Sequence, residues 1–591
     1  MGQLKGLTKP IQLHSMRMVM GGCTMTPEQC AWKARKWVDW YHADWNYALT
    51  SVYFVLAFIA LFAVVRILSM AAQRPATREK LRNSNIGKRA LAGWRYLSYR
   101  AYNVPAFSWY SPPLGVLLVG VIGVVFFMVM TLTARPYYWP NKKVPAVTFG
   151  SSPPIATRAG WMATALLPFM IAFASKWNFV TFVTGVTHEK LQVFHRWTSW
   201  AMFVLALVHT FPFIVYHIWK GDMMSQYKTT IWYWSGVATL IPQAWLTFMS
   251  IGPIRNRYYE FFKFTHYAAS AVFIVFFFLH CNFRLSSWDY FIATAIIYVL
   301  SLLASFGNTY LRNGTSHRAT LQILKGNMLG VTIPTKISWR PSQHVFVRFC
   351  TAGINSFSAH PFTISSTPSQ EPGSSEIKFY IRPHGGITGR LRALAEGRGG
   401  QEIPVVLEGP YGGLRTAFGG FGKVLVIAGG SGGSLITPLV EDFVRKLEGV
   451  VVHVVWMIRT RDAIEWFEDD LVGLQSQAPN GNLKVSIYVT RDIRAGGGST
   501  ESSEAEREKD VLSEAQEQHH TGELDVHVVG RPDLSTLIRN ESESAGSIAI
   551  AACGPSSLLL DVQNTAAALQ LDILHGKSSL SEVYLHTEHF S

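Results

Sequence analysis

Two stretches decide how this chain folds: HRWTSWAMFVLALVH at 195–209 and HYAASAVFIVFFFLH at 266–280. Each opens and closes on histidine, so His195 and His209, like His266 and His280, lie 14 positions apart. At ~3.6 residues per turn and ~1.5 Å rise, that is just under four turns and about 21 Å, so both histidines of a pair face one way. A hydrocarbon core is ~30 Å thick, which puts one imidazole near each edge. An unsatisfied polar group in lipid costs several kcal/mol, so each ring needs a hydrogen-bond partner or a metal. Two helices with matched pairs supply two ligands at each of two depths, the geometry that holds two haems across a membrane, each iron between two imidazoles. The competing reading is of buried histidines bonded to neighbouring helices. One spacing repeated on two separate segments favours ligands.

Outward from these stretches the chain stays apolar. It has 591 residues, of which 49% are hydrophobic and 15% charged, with 19 Trp and 36 Phe. That composition fits a membrane protein with a soluble part. Seven segments are long and apolar enough to span: about 50–72, 113–134, 160–184, 193–218, 230–252, 264–282 and 288–310. Lys176 and Pro242 interrupt the third and fifth. The net charge of +15 does not argue for nucleic acid, because much of the basic excess flanks the apolar segments. The loop from Ala72 to Pro112 holds Arg74, Arg78, Lys80, Arg82, Lys88, Arg89, Arg95 and Arg100 against Glu79 alone, and is expected inside the cell. Arg255, Arg257 and Lys263 then also fall inside, the amino terminus outside, and everything after Tyr310 inside. His195 and His266 share the inner edge, His209 and His280 the outer, with Met202 and Phe273 midway as packing.

Five cysteines without CxxC spacing argue against a thiolate zinc site or an iron–sulfur cluster. Met16, Met18, Met20, Met25, Cys23 and Cys30 suit Cu(I), though a flexible tail explains them better.

After Tyr310, alternating segments at 319–324, 344–350, 376–382 and 402–407 read as short antiparallel strands of a small barrel. Within them lie His360-Pro361-Phe362-Thr363, Arg382 and the Gly385–Arg390 turn with Gly386 and Thr388. Arginine charge with glycine and threonine donors suits an anionic dinucleotide, and Thr363 suits a flavin ring edge. Next, Lys423–Ala428 is a buried strand running into Gly429-Gly430-Ser431-Gly432-Gly433 and a helix from about Thr437 to Leu447. Strand, glycine turn and helix present N–H groups to a pyrophosphate, although this is not the strict GxGxxG pattern. A second strand, Val451–Trp456, ends near Arg459 and Arg461, which suit the extra phosphate of NADPH; a later one ends at Cys553-Gly554-Pro555. About 492–522 is polar and reads as a disordered or weakly helical insertion. The expected domains are an outer segment at 1–49, a membrane domain at 50–310, a β-barrel at 311–420 and an α/β domain at 421–591.

With the paired histidines, HPFTISS, GGITGRL, GPYGG, GGSGGSLITPL and CGP in this order, the chain resembles the fungal ferric/cupric reductases, relatives of the superoxide-producing NADPH oxidases. The resemblance covers roughly 110–591. It implies a transmembrane di-haem bundle followed by a ferredoxin-reductase-like module, an antiparallel FAD barrel plus an α/β NADPH domain. The four histidines are then axial ligands of two b-type haems. His360 to Thr363, Arg382 and Thr388 would hold FAD, Gly429 to Gly433 NADPH, and Cys553-Gly554 would lie near the nicotinamide. Phe590 would cover the flavin. The implied activity is transfer of electrons from cytosolic NADPH to external Fe(III) or Cu(II) chelates at a plasma membrane, in partnership with a metal permease or oxidase. A vacuolar address would leave the chemistry unchanged. The rivals are an NADPH oxidase that reduces oxygen at the outer haem, against which the seventh span argues, and a non-catalytic scaffold or transporter, which would require broken motifs.

Overall fold

The computed structural model describes residues 42–107, 109–134, 137–138, 152–350, 358–369, 375–397, 402–414, 418–446, 449–478, 481–491, 519–521, 524–528 and 530–589, together with residue 27. The Met/Cys-rich amino-terminal stretch and Phe590 lie outside them. The chain divides into two compact units, one of residues 1–68 and 118–305, the other of 69–117 and 306–591.

The first unit is helical. Its long helices are α1 (Leu49–Ala72), α4 (Leu114–Leu132), α5 (Pro154–Ala174), α6 (His188–Lys220), α7 (Ile231–Phe248), α8 (Tyr259–Cys281) and α9 (Ser287–Phe306). A helix forms in each of the seven expected segments, but six among the described residues are long and apolar enough to cross a membrane. The seventh, α7, is diluted by Ser235, Thr239, Pro242 and Gln243. The third segment is also displaced: α5 starts at Pro154 and stops at Ser175, so Lys176 lies beyond the helix rather than inside a span. Helix α5 is the most enclosed. Ala156, Ala159, Gly160, Ala163 and Ala165 keep its surface small, which lets neighbouring backbones approach where no hydrophobic force drives association. Met162, Leu166 and Leu167 pack there with Met202 and Leu205 of α6 and with Phe273 and Phe277 of α8, which confirms Met202 and Phe273 as packing residues. Outward side chains such as Leu61, Val64, Val121 and Val125 are exposed and apolar, as a lipid-facing surface requires.

The second unit holds a short antiparallel pair, β1 (Asn103–Val104) with β2 (Trp109–Tyr110), and two larger sheets. The first is antiparallel, in the order β6-β5-β8-β3-β4-β7, from β3 (His317–Leu324), β4 (Met328–Thr335), β5 (Gln343–Phe349), β6 (His360–Thr363), β7 (Ser375–Ile381) and β8 (Glu402–Gly412). Inward residues alternate along each strand, and Ser365 N–H donates to Lys378 O at 2.9 Å, bringing the β6 edge to β7 and closing a barrel. The second sheet runs β12-β13-β11-β10-β9-β14-β15, from β9 (Lys423–Gly429), β10 (Val451–Ile458), β11 (Leu483–Val489), β12 (His519–Thr521), β13 (Leu524–His527), β14 (Ser547–Gly554) and β15 (Glu582–His589). All its pairings are parallel except β12 with β13. Strand β12 falls at the end of the polar stretch expected to be unstructured; the rest of that stretch lies outside the described residues. The strand order reverses between β9 and β14, so a crevice opens at their carboxyl ends.

A difference from the sequence reading concerns the basic stretch after α1. It forms helices α2 (Pro75–Asn83) and α3 (Asn85–Tyr99), the latter capped by the Ser84 hydroxyl, which accepts from Gly87 N–H at 3.2 Å. Arg78, Arg82 and Arg95 converge on the Glu582 carboxylate of β15 at 2.9, 2.7 and 2.6 Å. Leu585 N–H donates to the Tyr99 hydroxyl at 3.0 Å. Ala92 and Tyr99 are buried with Ile548, Ile550, Leu559 and Val583. The stretch is therefore a layer of the α/β domain as well as a run of positive charge.

Candidate redox site

In the helical unit the four histidines meet in the expected pairs. The rings of His195 and His266 lie 6.4 Å apart and those of His209 and His280 5.8 Å apart, both edge-on. His195 Nδ1 donates to Met170 O at 2.9 Å, His209 Nδ1 to Ala156 O at 2.8 Å, and His280 Nδ1 to Trp232 O at 2.7 Å. A carbonyl only accepts, so each of these bonds fixes the proton on Nδ1 and leaves Nε2 with its lone pair. His266 is held less firmly: Ser250 gives its own proton to Leu246 O, and its oxygen meets His266 Nδ1 at 3.5 Å. A metal–imidazole nitrogen bond is about 2 Å, so two rings ligating one ion from opposite sides have centres roughly 6 Å apart, as both pairs do. Among the described residues no group of three His, Cys, Asp or Glu side chains gathers. Two imidazoles alone make no cage, but they complete a macrocycle that brings four nitrogens of its own, so the residues fit haem.

Two glycines that the sequence reading passed over prove necessary. A Cβ at Gly160 would lie 2.5 Å from His209 Nδ1, and one at Gly236 2.8 Å from His280 Nδ1. Their only sequence signal is a glycine within a helical apolar run, which usually marks close approach.

In the other unit, the β9 and β14 ends border a cleft of about 330 Å³. It brings together Arg382 from the barrel, Gly429 and Gly430 from the turn, Arg459 after β10, and Pro555 after β14. Thr460, Thr490 and Arg531 also line it; these the sequence reading missed, since Arg531 comes some 70 residues after Arg459 with no motif around it. Arg531 is braced by Asp561 at 2.7 Å. Gly430 adopts φ 57°, with open space where a side chain would be, as a backbone that receives a phosphate requires. Gly432 and Gly433 have another task. Both are buried, and a Cβ at Gly433 would press within 2.9 Å of Trp456 and Phe467, so that glycine lets the turn pack on the sheet. Arg461 is exposed at the start of the turn 461–466 and does not line the cleft.

His360 to Thr363 form the edge strand β6, with Phe346 opposite Pro361 and His344 opposite Thr363. Arg382 follows β7, the neighbouring strand. Gly386, at φ 69°, turns the chain into helix α10 (Ile387–Gly397). The Thr388 hydroxyl accepts from His384 N–H at 2.9 Å, so it shapes that turn as well as bordering it. Cys553 is buried at the end of β14 between Ala428 and Glu588, and burial pushes its thiol well above the ordinary cysteine range. Its side chain is part of the buried core of the sheet. Glu588 is tied to the barrel through the Ser342 hydroxyl.

Family models match this chain in three consecutive blocks. Residues 159–277 match the ferric reductase like transmembrane component, 313–414 an FAD-binding domain, and 421–567 the ferric reductase NAD binding domain. The chain has the domain set of a ferric reductase. It is an oxidoreductase with FAD- and NAD-binding domains on a membrane domain of haem-binding type. A probable cell surface ferric reductase of Aspergillus oryzae is 29% identical over 73% of this chain and 60% of its own length. The ferric/cupric reductase transmembrane component 7 of Saccharomyces cerevisiae is 26% identical over 84% of both chains. Among solved structures, the ferredoxin reductase of a carbazole dioxygenase aligns at TM-score 0.31 and 17% identity over 47% of this chain and 69% of that one.

Proposed function

We propose that this chain is a transmembrane metalloreductase, passing electrons from NADPH on the inner side to Fe(III) or Cu(II) chelates on the outer side. Two histidine pairs at two depths, with the proton of three rings fixed on Nδ1, carry the reading. His195 with His266 and His209 with His280 would hold two b-type haems; His360 to Thr363, Arg382 and Thr388 would hold FAD; and Gly429, Gly430, Arg459 and Arg531 would hold NADPH. When bound, these groups supply hydride transfer, the split from two electrons to one, and single-electron transfer across the bilayer. The protein's own part would be position, two imidazoles at each level, and an apolar sheath of Met202, Phe273 and Phe277 between the two levels. The loop charges put the His195/His266 level inside. A plasma membrane address, with the carboxyl-terminal half in the cytosol and a permease or oxidase taking the reduced metal, follows from the metal-uptake reading.

The alternative with chemistry in its favour is an NADPH oxidase, because oxygen needs no binding site beside an outer haem. Isolated membranes given NADPH and ferric chelate separate the two. The expected outcome is Fe(II), caught by a trapping reagent, at equal rates with and without oxygen and superoxide dismutase. Fe(II) formation that stops on removing oxygen would replace this reading with the oxidase.

A further inference from the structure

Beyond His209, α6 runs about three more turns and ends at Gly221, whose φ of 73° is the left-handed conformation that closes a helix. Gly221 N–H returns to Ile218 O at 3.0 Å and Asp222 N–H to His217 O at 3.2 Å. This cap folds Asp222 back onto the helix, and His217 Nδ1 donates to its Oδ1 at 2.7 Å. Lys220 Nζ and Gln226 Nε2 hold the other oxygen at 2.6 and 3.2 Å. Burial works against the charge on Asp222, but hydrogen bonds from Lys220, His217 and Gln226 bring its pKa down to about 2. The anion in turn fixes His217 as the tautomer with its proton on Nδ1.

His217 Nε2 makes no hydrogen bond to any described residue. The ring is clamped edge-on between Tyr216 at 5.0 Å and Tyr233 at 5.3 Å. Tyr233 directly follows Trp232, whose carbonyl holds His280. A carboxylate that orients an imidazole through Nδ1 and leaves Nε2 open is the arrangement found behind metal-ligating histidines. Eight positions from His209 along α6 is about 12 Å. Immediately after Asp222 come Met223 and Met224, both exposed, with thioethers that suit Cu(I).

We propose that His217, oriented by Asp222, is the docking ligand for Cu(II) at the outer end of the bundle, with Met223 and Met224 receiving the Cu(I) formed. This rests on the metalloreductase reading. A single imidazole leaves the rest of the coordination sphere to water, which suits a substrate that must depart; among the described residues no third ligand closes a cage. Each Cu(II) takes one electron, so two are reduced per NADPH oxidised to NADP⁺ and H⁺. A ferric chelate whose oxygens already fill its coordination sphere has no need of an imidazole.

The test is run on purified full-length protein in lipid, anaerobically, with NADPH, comparing Cu(II) and ferric EDTA. His217→Ala should raise KM for Cu(II) about 10- to 100-fold and leave KM for ferric EDTA and the haem absorbance spectrum in place. Asp222→Asn should move the copper KM the same way by a smaller factor, and redox-inert Zn(II) should compete with copper in the wild type but not in His217→Ala. Reduction of both metals by the wild type with an unchanged copper KM in both variants would overturn the site. Reduction of neither metal by the wild type would instead sink the metalloreductase reading beneath it.

Discussion

The two units hold their critical polar groups by opposite means. In the helical unit, the imidazoles of His195, His209 and His280 are fixed by neutral backbone carbonyls at 2.7–2.9 Å. In the nucleotide unit, Glu582 is fixed by three guanidiniums. The difference follows from the medium. Ion pairs in a bilayer carry a desolvation penalty, whereas Met170, Ala156 and Trp232 on neighbouring helices offer these three rings a neutral carbonyl. At the edge of the nucleotide unit, charge on an exposed helix pair is cheap to supply, and burying Glu582 to 4% exposure against it fixes α2 and α3 in one register. Carbonyl bonds are insensitive to salt and acid; the arginine cluster is not.

That contrast can be broken at its strongest point first. Replacing His209 or His280 by Ala should reduce outer metal reduction to background while leaving flavin reduction by NADPH intact, read by flavin bleaching in the same sample. A smaller loss is expected from Glu582→Gln: with the carboxylate gone, three clustered cations lose their partner, at about 3 kcal/mol in the stability of the nucleotide unit, and the haem spectrum should not change. Acid should imitate that substitution. Burial raises Glu582, but Arg95 and Arg78 outweigh it and hold its pKa below the ordinary value. Its contribution is therefore complete above the unfolded glutamate value of about 4.3 and is lost as pH falls through the lower folded one. Protease cleavage between 75 and 99 measured across that range checks the sign. Next comes Gly236→Ala, where overpacking of about 1–3 kcal/mol against His280 should lower haem retention roughly 10- to 100-fold. Smallest is Ser250→Ala: its 3.5 Å contact to His266 is near the limit of a hydrogen bond, so a change under about 1 kcal/mol in haem retention is expected.

What could be read from the sequence follows the same division. Histidine spacing fixes depth and face because a membrane helix has one period and no alternative conformation, so both ring pairs were legible. The glycine turn after β9 was legible as strand, turn and helix, but the reversal of strand order that opens the crevice was not, because pairing order leaves no local signal. Gly160 and Gly236 were not, because the His209 and His280 rings they approach belong to other helices. Arg78, Arg82 and Arg95 were read through the positive-inside rule, which explains their sign and hides their partner 487 to 504 positions away. Gly433 was assigned to phosphate because a turn glycine and a packing glycine look alike until Trp456 and Phe467 are seen against it. His217 carried no signal until the Gly221 cap set it beside Asp222.

The most direct test of the central claim is the ratio of haem to FAD in the purified chain and in His280→Ala. Two haems per flavin falling to one, with bis-imidazole absorbance kept by the remainder, is the predicted result. A variant that keeps both haems, or a wild-type chain that holds fewer than two, would contradict the assignment of the two histidine pairs.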